Sequence, residues 1–134
     1  MKRKVSNMSY ESKIYICHKG SYQDTVIRPG KYWAQIVAMV DLCAYDTVAT
    51  ALRQKPVTNA YFYADDGTTV VDTDQYDKPL TECSVDELLE ILQAEIDKGE
   101  DYRRLFPLYA MVKTFAEQNE SMWCGRLTVL HYGY

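Results

Sequence analysis

The 134-residue sequence predicts an α+β fold. The expected form is a two-layer domain, a mostly antiparallel sheet of about five strands with two main helices on one face. Three observations predict it. Read in order, the apolar runs give strand, strand, short helix, strand, strand, helix, helix, strand. The stretch YFYADDG at 61–67, followed by TTVV, sets Asp-Gly between two β-rich runs. That is a strong hairpin signal, because a primed turn needs positive φ and glycine adopts it at little cost. Ser84-Val85-Asp86-Glu87 spells a capping box, which starts a helix.

Each element has a local reason. Residues 10–18 alternate, with Tyr10, Ser12, Ile14 and Ile16 on one face and Glu11, Lys13, Tyr15 and Cys17 on the other. Residues 19–30 carry Gly, Ser, Asp, Pro and Gly and read as a loop. Residues 31–43 are a long apolar run. Ile36, Val37 and Val40 favour a strand there, antiparallel to the first, although Ala34, Ala38 and Met39 tolerate a helix. Asp46 caps a short helix over 47–53, which stops before Pro56. Strands follow at about 59–64 and 68–73, and residues 74–82 read as a loop.

The capping box opens a helix over 85–97. Leu88, Leu89, Leu92 and Ile96 form its buried stripe, Asp86 and Glu87 meet its positive end, and Gly99 ends it. A second helix starts near Tyr102 and reaches Gln118, with Pro107 in its first turns and Leu108, Val112 and Phe115 as its stripe. Residues 122–132 are the last strand. Residues 1–9 read as a flexible basic tail, and 10–134 as one domain without repeats or linkers.

Composition bounds the function. Hydrophobic residues make up 47%, enough for a core and too many for disorder. No apolar run approaches the ~20 residues of a membrane span, and no apolar core follows the basic start, so neither an anchor nor a secretory signal is read. Cys17, Cys43, Cys83 and Cys124 lie far apart, with no C-x-x-C pair, and point to reduced thiols in the cytoplasm. Tyrosine dominates the aromatics, with 12 residues against 3 Phe and 2 Trp, more than a core alone accounts for.

Charge is segregated along the chain. Residues 65–101 hold 13 acidic side chains and 2 lysines, a net of −11, while the rest of the chain carries +7. One reading is a solvated hairpin tip, loop and helix face. The other is an acidic surface that meets a basic partner, such as the nucleic-acid groove of another protein. Direct nucleic-acid binding is disfavoured, because the basic residues are scattered and the net charge is −4.

Catalytic patterns are absent from the sequence. There is no Walker loop, G-x-G-x-x-G, G-x-S-x-G or H-E-x-x-H. His18 and His131 could serve a thiol nucleophile, Cys17 or Cys124, only if the fold brings them together, and adjacent Cys17 and His18 point to opposite faces of a strand. A zinc site would need dispersed Cys and His to converge. The run 72–77, DTDQYD, begins like a calcium loop but fails as one: Tyr76, Asp77 and Cys83 stand where a ligand, a glycine and a bidentate glutamate are required. Arg103-Arg104 could clamp an anion, but they sit at a helix start, where the dipole opposes them. No cofactor is expected.

The motifs YESKIYI, FYADDGTT, DYRRLFP and the terminal VLHYGY resemble a family of short, uncharacterised proteins carried by phages and mobile elements of gut Firmicutes. The resemblance spans most of the chain from Tyr10 onward and brings no catalytic residues. It implies a phage or mobile-element setting, where small acidic proteins include inhibitors of host defence such as anti-CRISPR proteins. Three functions follow. The first is a non-enzymatic binding module that engages a basic host protein, with Asp65, Asp66, Asp72, Asp74 and Asp77 supplying charge and Tyr63 and Tyr76 as aromatic anchors. The second is a small enzyme or metal protein built on Cys and His. The third is a structural or homo-oligomeric protein that closes an exposed sheet edge.

Overall fold

Alternating β-branched and aromatic runs at both ends of the chain pair with each other and make the centre of the sheet. The computed structural model describes residues 12–19, 30–42, 46–99, 102–123 and 127–134. The basic tail at 1–9, most of the loop at 19–30, Tyr10, Glu11, Cys43 and Cys124, and the side chains of Asp46, Arg103 and Arg104, lie outside the described residues.

The elements run β1 (Ser12–Lys19), β2 (Tyr32–Asp41), α1 (Asp46–Arg53), β3 (Ala60–Tyr63), β4 (Val70–Val71), β5 (Thr81–Cys83), α2 (Val85–Asp97), α3 (Tyr102–Trp123) and β6 (Leu127–Gly133). The sheet order is β4-β3-β2-β1-β6-β5, a six-stranded sheet with only β2 and β3 parallel. The chain is therefore α+β, with one strand more than the sequence predicts. The extra strand is β5, placed in the expected loop. It is three residues long, and its ladder comes from distant β6 through Thr81↔His131 and Cys83↔Val129.

Two further differences are local. The Asp-Gly signal marks a real hairpin, but the loop is longer than a primed two-residue turn. Ala64 N–H donates to Thr69 O at 2.9 Å, and the loop closes over 64–69. A primed type I′ turn needs two successive positive φ angles; here Gly67, at φ 74°, supplies the only one. In addition, α3 continues past the expected Gln118 to Trp123, so the last strand, expected from 122, begins at Leu127.

Helix α2 follows local rules closely. Ser84 Oγ accepts from Glu87 N–H at 3.0 Å, and Glu87 Oε1 accepts from Ser84 N–H at 3.0 Å. Gly99, at φ 80°, closes the C-terminus. Its buried face includes two residues outside the expected stripe, Val85 and Glu95, and Glu95 receives Lys98 Nζ at 2.9 Å.

Two clusters hold the sheet. On one face Ile14, Ile16 and Val129 meet Val48 and Leu52 of α1, Leu88 and Leu92 of α2, and Leu105, Leu108 and Val112 of α3. A bulge separates Ile16↔Ala38 from Cys17↔Ile36, so Val37 is an extra residue in β2; both Val37 and Ala38 lean on this core. The opposite face gathers Cys17, Tyr32, Ala34, Ala60, Phe62, Leu80 and Leu130, with no helical residue among the described ones. It is enclosed because the sheet curls. The segment at 56–58 pairs with β5, through Thr58 N–H to Leu80 O at 2.9 Å and Glu82 N–H to Pro56 O at 3.0 Å. Two residues later the same segment joins β2 as β3. Among the described residues no helix is long and apolar enough to cross a membrane.

Candidate functional site

The acidic residues singled out in the sequence divide between two places. Asp65 and Asp66 stand exposed at the β3–β4 tip. Asp66 is held there by donors: Oδ1 accepts from Thr68 N–H at 2.9 Å and Thr69 N–H at 2.8 Å, and the Thr69 hydroxyl donates to Oδ2. The Thr69 hydroxyl and the two backbone donors bring its carboxyl down to about 2. Asp74, Tyr76 and Asp77 lie in a turn that docks on the end of β6. There Gln75 N–H donates to Gly133 O at 3.1 Å and the Tyr76 hydroxyl donates to Tyr134 O at 2.9 Å.

Several of the acids serve the fold rather than the surface. Asp74 is buried, and its Oδ1 accepts from Tyr76 N–H at 2.8 Å and Lys78 N–H at 3.0 Å. Asp72 is half-buried with Lys31 Nζ at 3.9 Å. Asp77 holds the turn in a left-handed conformation, φ 58°. Tyr63 is half-buried, its ring centroid 6.3 Å from Trp33 and 5.8 Å from Tyr61. None of the four ion pairs among the described residues uses Asp65, Asp66 or Asp77.

The turn adjoins a group of aromatic side chains that the linear pattern does not reveal. Tyr15 of β1, Phe62 of β3 and Tyr132 of β6 pack on the helix-free face. Their centroids are 4.7 Å apart for Tyr15 and Phe62, 5.9 Å for Tyr15 and Tyr132, and 6.3 Å for Phe62 and Tyr132. Lys13 Nζ lies over three rings, 5.3 Å from Tyr15, 5.4 Å from Tyr132 and 4.9 Å from Tyr134. The Tyr134 hydroxyl donates to Asp41 Oδ2 at 2.8 Å. Register places Asp41 and Met39 of β2 on this same face, opposite Lys13 and Tyr15, and Met39 is 56% exposed. The one signal in the sequence is the high tyrosine count, with Tyr132 and Tyr134 two residues apart in the last strand region.

A cleft of about 360 Å³ opens where β5 meets segment 56–58, lined by Lys19, Glu82, Ser84, Glu87 and Thr128 among others. Glu82 is its centre. The Thr58 and Thr128 hydroxyls donate to its two oxygens, and Lys19 Nζ lies 3.5 Å away. Burial opposes ionisation, but these donors and the Lys19 charge outweigh it, and the carboxyl stays below its ordinary value. The Tyr32 hydroxyl is within electrostatic reach of the carboxylate and closes no hydrogen bond of ordinary geometry. Glu82 thus ties β5, segment 56–58, β6 and the end of β1, and works as the knot of the curl.

Among the described residues the thiols and imidazoles do not assemble into a reactive pair. Burial, then the Glu82 charge, pushes the Cys17 thiol up to about 12; burial, then Glu87, does the same for Cys83. His131 is buried on the helix-side face and, mainly through burial and then the Arg53 charge, falls to about 4, whereas Cys17 belongs to the opposite face. Among the described residues no group of three or more His, Cys, Asp or Glu could hold a metal ion. Compared with known proteins, the chain matches no family model, no curated protein and no solved structure.

Proposed function

We propose that this chain is a non-enzymatic binding module whose helix-free aromatic face, flanked by acidic loops, engages a basic protein. The observation that carries the reading is the cluster around Lys13: the face already holds one cation against three tyrosine rings, beside the Asp41 carboxylate. Exposed Asp65, Asp66 and Asp77 add negative charge that no lysine of the described residues neutralises. In the phage or mobile-element setting implied by the sequence motifs, the partner is a basic host protein, of the kind whose groove binds nucleic acid, and the module acts as its inhibitor. Raised thiol pKa values at Cys17 and Cys83 favour this over nucleophilic chemistry.

The test is titration with lysine- and arginine-rich peptides, followed by Trp33 fluorescence, at low and high salt. Affinity should drop about tenfold or more between the two salts. Asp65→Lys combined with Asp77→Asn, which tolerates the left-handed backbone, should weaken binding at low salt. An affinity indifferent to both salt and these substitutions would remove the reading.

A further inference from the structure

We propose that the three tyrosines around Lys13 form an ammonium-binding cage that the free protein fills with its own lysine, and that a lysine-type side chain of the basic partner takes Lys13's place. Distances of 4.9 to 5.4 Å from Nζ to the three ring centroids lie within the ~6 Å reach of a cation–π contact. The rings are positioned by contacts that do not involve Lys13. Tyr134 is fixed at both ends, its hydroxyl donating to Asp41 and its carbonyl accepting from Tyr76. Tyr15 and Tyr132 pack on Phe62, which is itself buried. The cage would therefore keep its shape if Lys13 left.

Lys13 is weakly tied by comparison. Asp41 is its cross-strand partner, yet none of the ion pairs among the described residues includes Lys13. A salt bridge would have pinned the ammonium; rings alone hold it less firmly. Lys13, Tyr15, Tyr132 and Tyr134 are all half-buried, so the occupant can be reached from solvent. The lysine on its flexible stem thus acts as an internal competitor, and a methylated ammonium, which is easier to desolvate, suits the same rings.

This rests on the face being a binding surface, and the experiment separates the two ideas. The whole chain is titrated with tetramethylammonium chloride and followed by ring-proton NMR. Lys13→Ala should bind about tenfold more tightly than the native protein, with shifts centred on Tyr15, Tyr132 and Tyr134. Adding Tyr134→Leu should abolish the gain. Equal binding by Lys13→Ala and the native protein, or a gain that survives Tyr134→Leu, overturns the cage. Should Lys13→Ala fail to fold, saturating tetramethylammonium on the native protein should shift the Lys13 side-chain resonances, and their constancy would overturn it equally. Cation binding without any binding of basic peptides sinks the proposed function and spares the cage; the reverse outcome spares the function only.

Discussion

The two faces of one sheet are built from different chemistry. The helix-side face is aliphatic: Ile14, Ile16 and Val129 interlock with Leu88, Leu92, Leu108 and Val112, all nearly inaccessible to water. The helix-free face is aromatic and polar at its rim, with Tyr15, Tyr132, Tyr134, Lys13 and Asp41 half-buried or exposed. Both faces hang on the same backbone ladder, so the difference lies in what covers them. Three helices exclude water from one, and close packing makes every methylene there count. The curl of a single segment, 56–63, covers the other only in part. Stability is therefore concentrated on one side, and the capacity for contact on the other.

The largest expected effect breaks the aliphatic side. Leu92 is fully buried, and Leu92→Ala should cost about 2–5 kcal/mol in urea unfolding, through lost transfer energy plus the cavity left behind. A loss under ~1 kcal/mol would mean that the helix layer is not tightly packed.

Next in size is a pH effect on the same face. His131 Nε2 is buried without a hydrogen-bond partner, and its pKa drops from 6.5 to about 4. The unfolded chain takes up a proton near 6.5 and the folded chain resists until about 4, so stability falls as pH falls through that window. The drop should approach ~3 kcal/mol at most, at 1.36 kcal/mol per pKa unit. His131→Leu should flatten the pH dependence of stability between those limits; an unchanged slope would show that the imidazole is not held neutral.

The smallest effect belongs to the aromatic side. Tyr134→Phe removes the hydroxyl that Asp41 accepts and keeps the ring over Lys13. It should shift unfolding by no more than ~1 kcal/mol. A much larger loss would make this rim part of the structural core and erase the contrast between the faces.

Legibility followed distance along the chain. The capping box, the Leu88–Leu92 spacing and the alternation in β1 are short-range patterns, and all appear where the sequence placed them, whereas the last strand, expected over 122–132, begins only at Leu127. Strand β5 has no local signature because three residues, Thr81-Glu82-Cys83, show too little alternation, and its partners lie at 56–58 and 129–131. In the sequence Asp74 reads as one more surface acid, yet it is buried as the acceptor of its own turn. The aromatic cluster draws on residues 15, 62, 132 and 134, which no local window contains.

Sequence alone determined the elements that depend on neighbours within a turn or two: the helices and the capped ends of α2, the longer strands, the hairpin, and the segregation of charge. Tertiary structure alone decided which strands meet, which carboxylates are consumed by Thr, Lys and backbone donors, and which tyrosines gather around Lys13. The physical reason is range. Capping and periodicity act over three or four residues. Burial and cation–π contact depend on position in space, which the chain acquires only when its two ends pair across the sheet.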